Sequence, residues 1–276
     1  MHPFPVISSP PGNRWPWWLG VAAVVLALLA GTLLRPAPEP LTTLRVGLEA
    51  GALPVPNGDR DYTGERFEPL FAGELAERLG AAVVLVPLAP AALVPALQQR
   101  TVDLVLMRQA AREPPVADVR AWPTGFQSGL SVAMRSDTDV RRWSELSGRV
   151  LCSVAGNPRA RELVAALRGE LHAQSAPAQV LAQVRTGACA AAILDRAQLD
   201  PLFLRPEWLK FSATLPPLQA SLLVAAVSTA RPGLAAALRG ALAELGTPER
   251  WAQRRAQWAA NVAFEVYFDQ IGPDCH

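Results

Sequence analysis

Two kinds of hydrophobic pattern alternate along this chain, and their alternation restricts the fold more than any other feature. Short β-branched and aliphatic runs predict strands at 45–48, 83–88, 102–107, 130–134, 150–154, 190–194 and 222–227. Between them, apolar residues recur at every third or fourth position and predict helices at 69–79, 91–99, 159–171, 177–184, 234–245 and 248–268. Strands and helices that alternate in this way form α/β units with largely parallel sheets. The predicted fold class is therefore α/β.

A separate apolar run lies near the N-terminus. Residues 15–34 include no charged side chain, and about 20 apolar residues are enough to cross the hydrocarbon core of a bilayer. Because the run is long and no small-x-small cleavage site follows it, we predict an uncleaved transmembrane helix in preference to a removed signal peptide. A tail at 1–14 precedes this helix, and a proline-rich spacer at 35–43 follows it.

The charged residues argue against nucleic acid as a partner, and the cysteines argue against a metal ion. A formal net charge of +2 arises from 26 basic and 24 acidic residues, with no basic block interleaved with aromatic residues, so nucleic acid is not expected. The three cysteines, Cys152, Cys189 and Cys275, lack the CxxC spacing of a zinc site, so no metal is expected either. Cys152 and Cys189 lie at or beside strands of one region. They either pair or remain buried free thiols, and the second interpretation is the simpler one.

Enzymatic motifs are missing from the sequence. The only histidines are His2, His172 and His276, and no GxSxG elbow supplies the nucleophile of a hydrolase. Neither GxGxxG nor a Walker-type GxxxxGK occurs, which argues against nucleotide chemistry. The sequence therefore predicts a protein that is not an enzyme and that uses no cofactor.

Several segments, taken in order, resemble the type II periplasmic solute-binding proteins, especially the amino-acid-binding branch that serves ABC transporters. The strand LRVGL comes first, and a Gly-x-x-Phe-Glu step at Gly64, Phe67 and Glu68 follows it. Next comes AALVPALQQRTVDLVLM, which is similar to the family's helix, short turn and Val-Asp strand. The segment APAQVLAQVRTGACAAAILDRAQL then resembles a helix, a glycine turn and a strand that ends in Asp195. The resemblance covers residues 44–245.

This resemblance implies a two-lobed clamshell behind the transmembrane helix. Residues 44–135 with 220–276 are expected to form the first lobe, and residues 136–219 the second. The implied function is capture of a small molecule, an amino acid or a related small polar solute, for an ABC transporter permease. The implied location is the inner membrane with the soluble part in the periplasm, or the periplasm alone if the N-terminal segment is cleaved.

Two charged residues match ligand contacts of the family. Arg112 lies near the arginine that clamps the ligand carboxylate in amino-acid-binding members, and Arg108 competes with it for that role. A guanidinium group suits a carboxylate because it donates two parallel hydrogen bonds, and a solvated loop arginine is the alternative for Arg112. Asp195 matches the carboxylate that pairs with the ligand amine, and the alternative is an N-cap of the following helix.

Four further candidates complete the set, and two of them follow strand ends, where ligands of open α/β folds lie. Gly156 and Asn157 lie between a strand and a helix, where backbone N–H groups can bind an anion. An ordinary N-cap is the alternative for Asn157. Ser128 and Gly129 match a crossover step of the family, where backbone groups face the cleft.

One feature of amino-acid binders is not found, the pair of aromatic residues that encloses the ligand side chain. The two loops that carry them in the family contain Leu53, Pro54 and Val55, and Ala89 and Pro90, in this chain. This difference leaves a second hypothesis open, an accessory or assembly protein, of the kind found with methanol dehydrogenase, that binds a protein partner. A sensor input domain is the third hypothesis.

Overall fold

The computed structural model describes residues 41–53, 61–110, 114 and 116–268, and its strands form one mixed sheet with the order β2-β1-β3-β8-β4-β7-β5-β6. The strands are β1 (Thr43–Glu49), β2 (Ala82–Leu88), β3 (Leu104–Ala110), β4 (Val119–Ala133), β5 (Val150–Val154), β6 (Glu170–Gln174), β7 (Ala191–Asp195) and β8 (Leu218–Ser228). The α-helices are α1 (Glu68–Arg78), α2 (Leu93–Gln98), α3 (Pro158–Ala166), α4 (Pro177–Arg185), α5 (Arg196–Phe203), α6 (Pro232–Leu245) and α7 (Pro248–Phe268).

The sheet has two parallel groups of strands at its ends. β1 is parallel to β2 and β3, and β5 is parallel to β6 and β7, while β8 and β4 are antiparallel to their neighbours and join the groups. We call β2, β1 and β3 with α1, α2 and α6 the first lobe, and β7, β5 and β6 with α3, α4 and α5 the second. The predicted α/β class is confirmed, and the sheet is consistent with two lobes. The predicted lobe boundaries, at 135/136 and 219/220, stay predictions.

The long helix α7 contacts both lobes. It packs against α4 and α5 of the second lobe. Toward the first lobe, Trp258 Nε1 donates to the Gly64 carbonyl oxygen at 2.9 Å, and Arg254 pairs with Glu74. Trp251 and Trp258 are both buried in the larger hydrophobic core, so α7 is an integral part of the packing.

The structure corrects two predicted elements. The helix predicted at 159–171 ends at Ala166, because Arg168 adopts φ +51° and the chain continues as β6. β6 pairs in parallel with β5, and this pairing outweighs the helical periodicity of its short, half-exposed sequence. The strand predicted at 130–134 is only the end of β4, whose earlier residues pair with β8.

The predicted location, anchored in the inner membrane with the soluble part in the periplasm, is wrong as judged on the described residues. Within 41–53, 61–110, 114 and 116–268, no helix is long and apolar enough to cross a bilayer. The segment 15–34, for which the sequence predicts a transmembrane helix, lies outside these residues.

Cys152 and Cys189 form a disulfide, with their Cα atoms 5.9 Å apart. The interpretation as two free thiols is therefore wrong. The physical reason is strand pairing, since Cys152 in β5 lies beside Ala192 in β7 and Cys189 comes just before β7. The bond joins two neighbouring parts of the second lobe across 37 residues of sequence.

Reduction of this disulfide should lower the free energy of unfolding by about 3–4 kcal/mol, because the unfolded chain regains the entropy of a closed loop. Urea titrations with and without dithiothreitol measure the change. The double variant Cys152→Ala/Cys189→Ala is the control. Its stability should match that of the reduced chain and should be the same with and without dithiothreitol. Equal stability of the oxidised and reduced chains would contradict this prediction.

Candidate functional site at the lobe junction

The carboxyl ends of β3 and β7 approach each other across the middle of the sheet. Arg108 of β3 lies opposite Leu223 of β8, and Asp195 at the end of β7 lies opposite Leu130 of β4. Because β4 and β8 are neighbours, side chains of the first lobe can reach those of the second. We call the polar side chains that meet here the lobe junction: Glu49, Glu65, Arg66, Glu68, Arg108, Asn157, Arg159, Asp195 and Gln198.

Arg108 connects the two lobes directly. Its Nε donates to Glu68 Oε1 at 2.9 Å, and its Nη2 donates to Asp195 Oδ2 at 2.9 Å. The guanidinium carbon lies 4.6 Å from the centre of the Phe126 ring, which suits a cation–π contact. Burial alone would lower the pKa of Arg108, but Glu68 and Asp195 outweigh burial and raise it, so the side chain stays charged.

A second buried arginine completes the first-lobe side of the junction. Arg66 donates from Nε to Glu68 Oε1 at 3.1 Å and from Nη2 to Glu49 Oε2 at 3.0 Å. Burial would raise the pKa of Glu68, but Arg66 and Arg108 together lower it to about 2. Glu68 is therefore ionised throughout the physiological range and belongs to a fixed network of charges.

Glu65 of the first lobe accepts hydrogen bonds from two side-chain amides of the second lobe. Asn157 Nδ2 donates to Glu65 Oε1 at 2.7 Å, and Gln198 Nε2 donates to the Glu65 carbonyl oxygen. Burial, followed by the nearby charge of Asp195, raises the pKa of Glu65 from 4.5 to about 7. Glu65 is therefore the group of the junction whose charge changes near neutral pH.

The lobes also touch through backbone atoms. Gly51 follows β1, and a Cβ atom at Gly51 would overlap the carbonyl oxygen of Gly156 in the second lobe. Gly156 itself has φ +84°, a conformation that glycine adopts without strain. The two glycines allow an approach that larger residues would prevent, and the lobes are in contact at this point.

The structure brings two of the predicted site residues into the junction, Asp195 and Asn157, and it places Gly156 next to Asn157 at the contact with Gly51. Asp195 accepts from Arg108 and, at 3.4 Å, from Arg159 Nη1, so both of its oxygens are occupied by arginines of the protein. Asn157 is the N-cap of α3, with its Oδ1 accepting from Ala160 N at 3.1 Å, while its Nδ2 binds Glu65. Their contacts to a ligand stay predictions.

The other three candidates lie elsewhere or outside the described residues. Ser128 Oγ accepts from Ala197 N at 3.0 Å, so it caps α5, whereas the Asp195 side chain makes no capping hydrogen bond. A Cβ at Gly129 would lie 2.6 Å from the Leu218 carbonyl oxygen, so this glycine permits close approach of β4 and β8. Arg112 is outside the described residues, and its role stays a prediction.

Sequence reasoning missed most of the junction: Glu49, Glu65, Arg66, Arg159, Gln198 and the aromatic contact Phe126. The sequence did indicate Arg108, as the alternative to Arg112 for the carboxylate contact. Arg108 directly follows the apolar run LVLM at the carboxyl end of a strand. A similar indication is available for Glu65, Arg66 and Glu68, since three charged residues surround Phe67 just before a buried helix.

Four buried polar atoms of the junction have no hydrogen-bond partner within the described part of the chain. One is a donor, Arg108 Nη1, and three are acceptors, Glu65 Oε2, Glu68 Oε2 and Gln198 Oε1. Buried polar groups without a partner are unusual because each costs free energy of desolvation. The junction therefore has unused capacity for one acceptor group and several donor groups.

A cavity of about 510 Å³ lies outside the junction, between the start of α1 and α7. Its lining includes Leu70 and Trp258, and it shares Arg66 with the junction. No cluster of three or more His, Cys, Asp or Glu side chains that could hold a metal ion occurs in residues 41–53, 61–110, 114 and 116–268.

No protein-family model and no curated protein matches the sequence. Solved structures do match. A mutant of ArgBP from T. maritima shares 19% identity over 79% of this chain and 95% of its own, with a TM-score of 0.52. An ancestral cationic amino acid solute-binding protein shares 18% identity over 78% and 95%, with a TM-score of 0.55. The substrate-binding protein of an amino acid ABC transporter shares 17% over 78% and 98%, with a TM-score of 0.50.

The fold is that of the type II periplasmic solute-binding proteins. The resemblance predicted from the sequence is therefore confirmed as a likeness of fold. At these identities the likeness does not extend to individual side chains.

The contact between Gly51 and Gly156 can be tested by adding one methyl group. Gly51→Ala should lower the free energy of unfolding by about 1–3 kcal/mol, because the methyl group overlaps backbone of the other lobe. The radius of gyration from small-angle scattering should also increase. Gly73→Ala is the matched control, since nothing lies within 4 Å of its new Cβ, and in a helix it should stabilise by about 0.5–1 kcal/mol. Equal effects of the two variants would contradict the contact.

The pKa of Glu65 predicts a fall in stability with rising pH. Between 4.5 and about 7 the folded chain holds a proton on Glu65 that the unfolded chain releases, so the unfolded state is favoured as pH rises. From pH 5 to pH 8 this group should cost about 2–3 kcal/mol of stability. Urea titrations at both pH values should show that Glu65→Gln removes this loss. Glu162→Gln, on the exposed face of α3, should keep it, and an unchanged pH dependence in Glu65→Gln would refute the assignment.

Proposed function

We propose that this chain is a solute-binding protein whose lobes close on a small amine-bearing polar solute, an amino acid or a related compound, for delivery to an ABC transporter permease. The observation that carries the proposal is the set of unpartnered buried atoms at the lobe junction, which come from both lobes. The fold supports it, since proteins of this fold include a substrate-binding protein of an amino acid ABC transporter.

The unpartnered atoms match the two charged groups of an amino acid. Within the described residues, Arg108 Nη1 is a donor without a partner, and a guanidinium group binds carboxylates well. Glu65 Oε2 and Gln198 Oε1 are, among the same residues, acceptors without a partner, and an ammonium group offers three donors. An ammonium group beside Glu65 would also keep this carboxylate ionised. Arg112 stays a predicted second contact of the ligand carboxylate.

The solute has to be compact. Both oxygens of Asp195 are occupied by Arg108 and Arg159, and the lobes touch at Gly51 and Gly156. At these two points the protein's own atoms leave little room between the lobes. Glycine, alanine and serine are the amino acids that best fit such a site.

The hypothesis of an accessory protein that binds a protein partner gains no support from these comparisons. The similar structures given above are described as amino-acid-binding or substrate-binding proteins. The charged junction is also a feature of the cleft between the lobes and not of an outer surface. We therefore retain solute binding as the proposed function.

Calorimetric titration of the full chain with glycine, alanine and serine tests the proposal. We expect a Kd that is roughly micromolar, and tighter binding at pH 8 than at pH 6 because the Glu65 carboxylate pairs with the ligand ammonium. Glu65→Gln should weaken binding by about 10-fold or more, since a hydrogen bond to a charged group is lost. Glu162→Gln should leave the affinity unchanged. If none of the three amino acids gives a heat of binding at either pH, the proposal is refuted.

A further inference from the structure

We propose that Arg108 is a specificity-determining residue, which occupies with its own guanidinium group the place of a cationic ligand side chain and so excludes arginine-like solutes. The inference rests on the proposed function in one respect, because it treats the lobe junction as the ligand site. It is carried by the contacts of the Arg108 side chain and by the groups that its removal would leave behind.

The surroundings of Arg108 form a complete binding site for a guanidinium group. Carboxylates lie on two sides of it, Glu68 from the first lobe and Asp195 from the second, each at 2.9 Å from a guanidinium nitrogen. The Phe126 ring covers one face of the planar group at 4.6 Å. Charge, directed hydrogen bonds and an aromatic face are the three features by which proteins recognise guanidinium groups. The group bound here belongs to the protein.

Removal of the Arg108 side chain would leave Glu68 and Asp195 with less positive charge beside them than they have now. The side chain is 5% exposed and Glu68 only 1%, so neither water nor counterions can easily replace the lost charge. Breaking a buried pair by deleting one partner is strongly destabilising for this reason. Arg159 contacts the other oxygen of Asp195 and donates to the Gln219 carbonyl oxygen at 2.6 Å, so its guanidinium group already has two acceptors.

The consequence for the natural chain is a restriction on the ligand. A second guanidinium or ammonium group near Glu68 and Asp195 would be repelled by Arg108, Arg66 and Arg159, because both oxygens of Asp195 already accept from arginines. Glu68 Oε2 is the one carboxylate oxygen of this pair without a partner in the described residues, and the three positive charges around it outweigh what it offers. Solutes with a long cationic side chain are thereby rejected. Small solutes that use Glu65 and Gln198 are not affected, because those acceptors remain available.

The test uses the full chain with Arg108→Ala, and arginine, methylguanidinium and citrulline as probes. The natural chain should show no binding of arginine up to about 10 mM, whereas Arg108→Ala should bind arginine and methylguanidinium and its Tm should rise by several degrees at that concentration. Citrulline has the same shape as arginine without the charge and should have no effect. In Arg108→Ala/Asp195→Asn the affinity for arginine should fall by about 10-fold or more.

Arg254→Ala is the matched control, because Arg254 also pairs with a carboxylate, Glu74, and lies over the rings of Phe71 and Trp251, but outside the junction. Methylguanidinium can fill the hole in either variant. Only in Arg108→Ala should arginine bind better than methylguanidinium, because its ammonium group reaches the free acceptors of the junction. If arginine were preferred over methylguanidinium equally in Arg108→Ala and in Arg254→Ala, the ligand would only be filling the space left by a deleted side chain. That result would overturn the specificity role of Arg108.

If Arg108→Ala does not fold, the double variant Arg108→Ala/Glu68→Gln removes the carboxylate that would otherwise keep only Arg66 as its partner, and it keeps Asp195 and Phe126. Its Tm should still rise with arginine and not with citrulline. A folded variant that ignores arginine, or a natural chain that binds arginine as tightly as the variant, contradicts the inference. Silence of the natural chain toward glycine, alanine and serine would defeat the proposed function, and this result is distinguishable from the Tm response of Arg108→Ala to arginine, which tests the guanidinium site itself.

Discussion

The ion pairs of Arg108 with Glu68 and Asp195 are the interaction on which the arrangement of the lobes depends. A charge at this depth has to be neutralised by nearby groups, since the loss of hydration is large. The first lobe supplies Arg108 and Glu68, and the second supplies Asp195. Arg108 pairs with one carboxylate from each lobe, so the lobes are complementary in charge at this point. The backbone contact between Gly51 and Gly156 is a second point at which the two lobes meet.

Buried ion pairs are more informative about geometry than about stability. Replacing such groups with apolar residues of similar volume is often neutral or stabilising, so their presence is not explained by the free energy of folding alone. Here the pairs fix one relative position of β3 and β7. The amides of Asn157 and Gln198 on Glu65 fix the same position a second time, from different elements. Under the proposed function, the cleft would select its ligand through the buried polar atoms that have no partner in the described residues.

The fold was predictable from the sequence because strands such as β5 and β7 are continuous apolar runs and α7 has a regular apolar face. β6 was missed because its sequence, ELHAQ, is half exposed, and the first part of β4 because VRAWPTGFQ contains proline and glycine. The junction was predictable only in part. Asp195 and Asn157 follow strand ends, where a general rule applies, but the partner of each is set by tertiary contacts. The bonds Arg108–Asp195 and Asn157–Glu65 join residues 87 and 92 positions apart, and no local pattern encodes such distances.

Helix α7 would make any separation of the two lobes depend on temperature. It is fastened to the first lobe by Trp258 and Arg254 and to the second by its packing on α4 and α5. If the lobes separate, as the proposed function requires, α7 has to leave one of them, and apolar side chains such as Trp258 or Val262 become exposed on that side. Exposure of apolar surface raises the heat capacity, and the hydrophobic contribution to contact weakens on cooling. Under the proposed function, the balance between closed and open forms would therefore depend on temperature through this helix, in addition to the charges between the lobes.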